Sequence, residues 1–392
     1  MRIAVIGAGM AGVAAAQALA GSGHEVSVYE RRAGAAEETS FAPAGIAAAG
    51  LAAPWLPPPG RLQAIKSGAD DAALLHASGS AFARPALFGR GDAAAAARRA
   101  ERALALHRLI AAGVERIVDQ TDALRLDFEC SEGLLLTLPD AAAQEQAELA
   151  VAWLQEAGCG VEWADVARQR AIEPGRVVAD DAPRAAWLPG ALVGNVREWT
   201  QLLRLHAQHL GARFHFQHEV AAIVAGPRPA LHVAAAGQPA QELRFDAVVV
   251  CAAADSARLL APLGLKLPWR AVRGCSVTVA QQVREAAPGS GPRAGLLDLR
   301  SGTSISRLGS RVRVAGCHVL APGAATVAEP PSGRTLQPLY DAVDQAFPGA
   351  VVWQQAQVWQ TARALLPDGL PAVGPSGATG VWLNAGHGHH GW

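Results

Sequence analysis

Met1-Arg-Ile-Ala-Val-Ile-Gly-Ala-Gly-Met-Ala-Gly12 opens the chain, and Val13-Ala-Ala-Ala-Gln-Ala-Leu-Ala20 and His24-Glu-Val-Ser-Val-Tyr-Glu30 follow it. The apolar run Ile3 to Ile6 reads as a buried parallel strand, Gly7, Gly9 and Gly12 place G-x-G-x-x-G at a strand-to-helix turn, and Val13 to Ala20 continues as a helix. Gly7 allows the tight turn, Gly9 lets a pyrophosphate approach bare backbone, and Gly12 lets helix and strand pack closely, with the phosphates at the positive helix N-terminus. Glu30 ends the second strand, Val26 to Tyr29, 18 residues past Gly12, where a carboxylate can accept hydrogen bonds from an adenosine ribose; the usual offset is about 20. A signal-peptide core or a short membrane span over the same residues fits poorly. Arg2 alone is a thin positive flank, three glycines would weaken an inserted helix, and neither reading explains an acid at the end of a second strand.

A chain of 392 residues is long enough for two or three domains. Lys+Arg 34 against Asp+Glu 34 leaves no net charge, which argues against a nucleic-acid footprint or a polybasic anchor and makes a small molecule the expected partner. Outside the opening stretch no segment has the roughly 18 uninterrupted apolar residues of a spanning helix, so the sequence reads as soluble or at most peripheral. Cys130, Cys159, Cys251, Cys275 and Cys317 show no C-x-x-C spacing and fit a reducing cytoplasm.

The organisation reads as interleaved. Pro54-Trp-Leu-Pro-Pro-Pro-Gly60 excludes regular structure and suggests a loop or domain crossing. Helices are expected at Ala93 to Leu109, Ala141 to Ala157, Trp199 to Leu210 and Leu336 to Phe347. Strands are expected around Gly133 between Asp127 and Leu138, at Arg213 to Phe216, Glu219 to Val224, Phe245 to Cys251, Ala271 to Val279, Ser304 to Cys317 and Val381 to Ala385. The fold class is therefore α/β: a Rossmann-type dinucleotide domain from 1–56, 195–266 and 355–392, interleaved with an α+β substrate domain from 57–194 and 267–354 built on an antiparallel sheet.

Several ordered segments carry a family resemblance: Glu38-Thr-Ser-Phe-Ala-Pro-Ala-Gly45, Ala52-Ala-Pro-Trp-Leu-Pro-Pro-Pro-Gly60, Val272-Arg-Gly-Cys-Ser276, Arg363-Ala-Leu-Leu-Pro-Asp-Gly369 and Asn384-Ala-Gly-His-Gly-His-His-Gly-Trp392. Over essentially its whole length the chain resembles the FAD-dependent amino-acid oxidoreductases of the D-amino-acid oxidase superfamily, and within it the small subunits of bacterial D-amino-acid dehydrogenases. The resemblance implies FAD, held by Gly7, Gly9, Met10, Ala11 and Gly12 at the turn and by Glu30 and Arg31 beyond it. It implies further contacts from Thr39, Ser40, Ala44, Gly45 and Ile46, from Val220, Ala252 and Ala253, and from Gly386, His387, Gly388 and Gly391. It also implies oxidative deamination of a D-amino acid or related amino acid to the keto acid and ammonia, with a quinone or carrier rather than oxygen as electron acceptor. The location it implies is the cytoplasm, or the inner face of its membrane by peripheral contact. Same-fold alternatives are a glycine/sarcosine-type oxidase or a tRNA-modifying amine oxidase, the latter disfavoured by neutral charge; a flavin-free scaffold is the alternative of another class.

Hydride transfer from an amino acid's α carbon requires a held carboxylate and no protein nucleophile. Arg363 falls on the family's carboxylate-binding arginine, with Arg307 as the alternative cation; a bidentate guanidinium suits the task. Thr361-Ala-Arg-Ala364 stands where the family has Gly-Leu-Arg-Pro, Cys275 and Ser301 where relatives carry aromatics, and Gly194-Asn195 where they have Gly-Asp. The smaller side chains suggest a roomier pocket. The terminal histidines lack adjacent Asp, Glu or Cys ligands, which favours a Gly-rich turn near the flavin, with His387 hydrogen-bonding beside it, over a metal site. Ser40 lacks the G-x-S-x-G elbow of a hydrolase. In resembling proteins the turn feeds a helix, so a sequence stopping at Trp392 is expected to be a fragment of a longer reading frame, the alternative being a truncated chain that has lost its cofactor.

Overall fold

The computed structural model describes residues 1–53, 55, 93–235, 237–282, 289–321, 331–366, 369–389 and 391–392. Of the Pro/Trp segment only Ala52, Ala53 and Trp55 fall among them; the rest of that expectation, with Pro367, Asp368 and His390, lies outside the described residues.

Ile3 to Ile6 are almost wholly buried, and the strand Arg2–Ile6 has a parallel neighbour on each side, Ala247–Val250 and Glu25–Glu30. The sheet runs in the order Ala372–Pro375, Val381–Ala385, Ala247–Val250, Arg2–Ile6, Glu25–Glu30, Arg213–Phe216, parallel except at its first strand. On one face the helix Met10–Gly21 buries Val13, Ala16 and Ala20, small side chains that allow close approach, beside Trp199, Leu203 and Ala207 of the helix Val196–His209. The opposite face is covered by a three-stranded antiparallel meander, His218–Val224, Ala230–Ala235 and Gln241–Arg244, through Val220, Ile223, Leu231 and Val233. Two apolar faces on one parallel sheet account for the unbroken hydrophobic strands.

A nine-stranded sheet forms the second body. Its main path is Val351–Leu365, Arg270–Gln281, Arg311–Ala321, Thr303–Leu308, Gly295–Asp298, Ser131–Thr137, Ala185–Val193 and Ile46–Ala47, with Glu162–Ala164 branching from Ala185–Val193. It departs from the expected antiparallel plan at one place, where Gly295–Asp298 runs parallel to Ser131–Thr137. Leu134, Leu135 and Leu136 are all fully buried. Leu134 and Leu136 meet Ala147, Val151 and Leu154 of the helix Ala141–Glu156, whereas Leu135 shares a core with Leu339 and Val343 of the helix Gly333–Ala346. The long helix extends through Ala93–Leu124, well past the expected end at Leu109.

Sheet membership moves two expected boundaries. Ile46–Ala47 pairs with Val193 and Leu192, and Val351–Leu365 pairs with Arg270–Gln281 on both sides of a bulge over residues 353–356, so the nine-stranded sheet takes residues from both sides of positions 56 and 355. Backbone pairing resumes after the bulge and carries the strand on to Leu365, past the expected boundary at 355.

Asn195 also gains a reason. Its Oδ1 caps the helix Val196–His209 by accepting from the Glu198 N–H at 3.3 Å, while Nδ2 donates to Glu129 Oε2 at 2.8 Å and Glu198 Oε2 at 3.2 Å. Burial, then the Glu129 charge, already raises the Glu198 pKa. An aspartate here would add a third carboxylate and lose both donations. Asn195→Asp is expected to destabilise the protein by roughly 1 to 3 kcal/mol at pH 8. The loss should shrink as pH falls through the carboxylate range, because protonation returns a donor; urea unfolding at pH 8 and pH 5 checks it, and equal stabilities at pH 8 would refute it.

Candidate functional site: a cleft at the strand ends

The C-terminal ends of the parallel strands open into a cleft. Its floor is the glycine turn. Gly7 has φ +100°, and a Cβ there would stand 2.7 Å from the Cys251 carbonyl oxygen; a Cβ on Gly12 would stand 1.9 Å from the Gly7 carbonyl oxygen. Gly12 therefore serves helix-to-strand contact and does not line the cleft. The helix begins at Gly9 with no capping side chain and no acid in its first turn. An N-terminus with no acid beside it suits an anionic group. Ser40 Oγ accepts from the Met10 N–H at 3.0 Å and ties the following loop to this turn.

Glu30 accepts from the backbone N–H groups of Ala8 and Arg32, both at 2.8 Å, and burial raises its pKa despite them. Each oxygen retains a second acceptor position for ribose hydroxyls. Next to it Arg31 forks onto Glu38, with Nε to Oε1 at 2.8 Å and Nη2 to Oε2 at 2.7 Å, and also pairs with Asp255. Burial alone would raise the Glu38 pKa, but Arg31 and Arg32 together hold it below the usual range. Val220, Ala252 and Ala253 complete this end of the cleft.

The segment after Arg31 is laid across the nine-stranded sheet by side chains beneath it. Thr39 Oγ1 donates to the Ala362 carbonyl at 3.2 Å, Ser276 Oγ to Ala42 at 2.7 Å, Arg313 Nη1 to Pro43 at 3.1 Å and Ser306 Oγ to Ala44 at 2.7 Å. Thr39 and Ser40 line the cleft. Ala44, Gly45 and Ile46 do not. Their backbones are committed to Ser306, to the Gly194 N–H and to the Val193 strand, so they support the loop from outside the cleft.

At the other end the turn after Val381–Ala385 is clipped to the nine-stranded sheet, Gly388 N–H donating to Ala364 O at 3.0 Å. His387 Nε2 lies 3.0 Å from Asn384 Oδ1, and Asn384 Nδ2 donates to Ala11 O at 3.3 Å, joining this turn to the glycine turn. Burial holds the His387 pKa down to about 4, so its imidazole is neutral at neutral pH. Gly386, His387, Gly388 and Gly391 all border the cleft.

Arg363 enters where the cleft meets the nine-stranded sheet. Its Nη1 lies 3.1 Å from His318 Nε2 and 2.8 Å from His389 Nδ1, and among the described residues no carboxylate pairs with it. Burial lowers its pKa to about 10. Arg307 is set aside as the alternative cation: it is exposed on Thr303–Leu308, donates from Nε to Gly309 O at 3.0 Å and does not border the cleft.

The roomier-pocket expectation also changes. Cys275 packs with Val277, Val279 and Leu339 on the side of the sheet away from Arg363, and Ser301 is exposed, bonding Asp298 Oδ2 at 2.7 Å. Neither sets the size of the cleft. Sequence reading missed Glu38, Asp255, Arg258, His218, Cys251 and Asn384, all of which border it. Asn384 alone offered a local signal, since it precedes the glycine turn by two residues. Among the described residues no cluster of His, Cys, Asp and Glu is fit for a metal ion, and no helix is long and apolar enough to cross a membrane.

Residues 2–392 match the protein-family model described as FAD dependent oxidoreductase, DAO. The chain is 34% identical over 401 residues to a D-amino acid dehydrogenase of Cereibacter sphaeroides, covering 100% of this chain and 88% of the relative. It is 32% identical over 400 residues to a D-amino acid dehydrogenase of Rhizorhabdus wittichii, covering 100% and 92%. Its fold matches glycine oxidase from Geobacillus kaustophilus with TM-score 0.71 at 21% identity, covering 100% of this chain and 90% of that one.

Proposed function

The chain belongs to the DAO family of FAD-dependent oxidoreductases, and from that premise we propose that it oxidises a D-amino acid to the imino acid, which water hydrolyses to the keto acid and ammonia. The glycine turn, the uncapped helix start and Glu30 fit the pyrophosphate and ribose of FAD, with Arg31 beside them. When bound, FAD supplies the acceptor for the hydride leaving the substrate's α carbon.

One observation carries the reading: Arg363 sits half-buried beside the Gly386–Gly388 turn with two imidazoles for partners and no carboxylate among the described residues. A cation so placed is strongly stabilised by an anion, and a guanidinium grips a carboxylate with two parallel donors. Arg363 thus anchors the substrate, and the amine-bearing carbon is directed into the cleft. The choice of D-amino acid follows the name of the curated relatives, D-amino acid dehydrogenase, and we infer an acceptor other than oxygen, a quinone or carrier, from a name that says dehydrogenase and not oxidase.

The test mixes holoenzyme anaerobically with D-amino acids, their L-enantiomers, glycine, sarcosine and decarboxylated amines. Bleaching of the flavin by D-amino acids well ahead of the others is expected, followed by faster reoxidation with a soluble quinone than with oxygen. Bleaching only by sarcosine or glycine would replace this reading with the oxidase alternative, and no bleaching by any amine would remove it.

A further inference from the structure

His318 and His389 come from different segments, the strand Arg311–Ala321 and the terminal turn, yet both rings reach the same nitrogen of Arg363 and meet each other edge to face at 4.9 Å. The placement of His318 rests on three features of the sheet. Arg311–Ala321 carries a bulge against Arg270–Gln281: Arg273 pairs with Val319 and Cys275 with Gly316, so Cys317 and His318 together face Gly274. Cys317 takes φ +53°, a left-handed conformation rare for a residue with a side chain, and turns its own thiol into the core. Gly274 leaves the floor open: a Cβ there would stand 2.8 Å from His318 Cδ2 and 3.2 Å from Nε2. A bulge of this kind re-aims one side chain. Here it directs His318, 4% exposed, at Arg363.

We propose that His318 and His389 are positioning residues that set the orientation of the Arg363 guanidinium for substrate. The inference rests on the reading of Arg363 as carboxylate anchor. An arginine nitrogen donates two N–H bonds and accepts none, so two imidazole acceptors satisfy Nη1 completely. Both rings are then neutral, His318 with its proton on Nδ1 and His389 with its proton on Nε2. Held from two sides, the guanidinium plane is fixed, and the edge formed by Nε and Nη2 meets the carboxylate. Without these acceptors the fork must find new partners, and its orientation is no longer set before substrate arrives. The pair thus governs carboxylate affinity and leaves the hydride step alone.

The experiment uses FAD-loaded protein, with the flavin absorbance change on adding benzoate as a binding readout and amino-acid kinetics as the second. His318→Leu and His389→Leu remove one acceptor each. His318→Gln and His389→Asn restore one, because the Gln Oε1 falls near a ring Nε2 and the Asn Oδ1 near a ring Nδ1. Each Leu variant is expected to raise the benzoate Kd and the amino-acid KM about three- to tenfold, with kcat within about twofold and flavin content unchanged; the Gln and Asn variants should recover most of the affinity. Benzoate binding unchanged in both Leu variants, while Arg363→Met weakens it, overturns the positioning role alone. An Arg363→Met variant that binds benzoate normally overturns the anchor reading beneath it. If the Leu and the polar variants lose flavin or thermal stability alike, the histidines are structural and the proposal fails.

Discussion

Gly12→Ala is expected to cost the protein both its flavin and its stability. The added methyl carbon would stand 1.9 Å from the Gly7 carbonyl oxygen and 3.0 Å from its carbon, both backbone atoms of the central strand's turn. Neither can rotate away. Relief requires the helix Met10–Gly21 to shift off a sheet on which Val13 and Ala16 are fully buried, and overpacking of this kind costs about 1 to 3 kcal/mol or more. The same shift moves the helix N-terminus away from the phosphates. Gly9→Ala makes the informative contrast: its Cβ would meet only Ser40 Oγ, at 3.3 Å. That variant should keep its apoprotein Tm close to that of the parent and still bind FAD poorly, since the methyl group occupies the approach of the pyrophosphate. Flavin content after gel filtration and apoprotein melting separate the two effects. Stoichiometric FAD and an unchanged Tm in Gly12→Ala would show that the close approach of helix and strand is not required.

Those glycines were legible in sequence because what they do is local. Strand, turn, helix and terminal acid follow one another within thirty residues, and periodicity with spacing is enough to place them. Val381–Ala385 was legible for the same reason, an apolar run ending at a glycine turn. The long strand Val351–Leu365 spans position 355, and its polar stretch, Gln354, Gln355, Gln357 and Gln360, has none of the pattern of a buried strand. Its partner Arg270–Gln281, paired with residues 70 to 95 positions further along the chain, defines it. Cys275 shows a further limit. Side chains alternate across a strand, so one position decides the face, and Gly274 rather than Cys275 looks toward Arg363. The family pattern located the segment; the facing came from the pairing. Similarly, Arg31 with Glu38, and Arg363 with His318 and His389, are pairs made by chain return, which no motif spacing encodes.

Arg363→Met is expected to leave the flavin bound while kcat/KM for D-amino acids falls by one to two orders of magnitude or more. Methionine keeps most of the length and apolar body of the side chain, so the local packing survives, and what is lost is a charge. A bidentate contact between guanidinium and carboxylate is worth roughly 1.5 to 3 kcal/mol, or about 10- to 150-fold in binding. In the absence of substrate, by contrast, removing Arg363 relieves a buried charge whose pKa is already pushed down to about 10 by burial. The variant should therefore melt no lower than the parent, and a small rise in Tm is consistent with its chemistry. Stability preserved and carboxylate affinity lost is the signature of a residue kept for its ligand. Decarboxylated amines supply the control: their slow turnover should be nearly the same in parent and variant, since they present nothing for Arg363 to hold. Unchanged kinetics with D-amino acids, or an equal loss with amines, would remove Arg363 as the anchor. Arg307 is no substitute, because it is exposed and outside the cleft, and the other arginines that border the cleft, Arg31 and Arg258, are already paired with carboxylates.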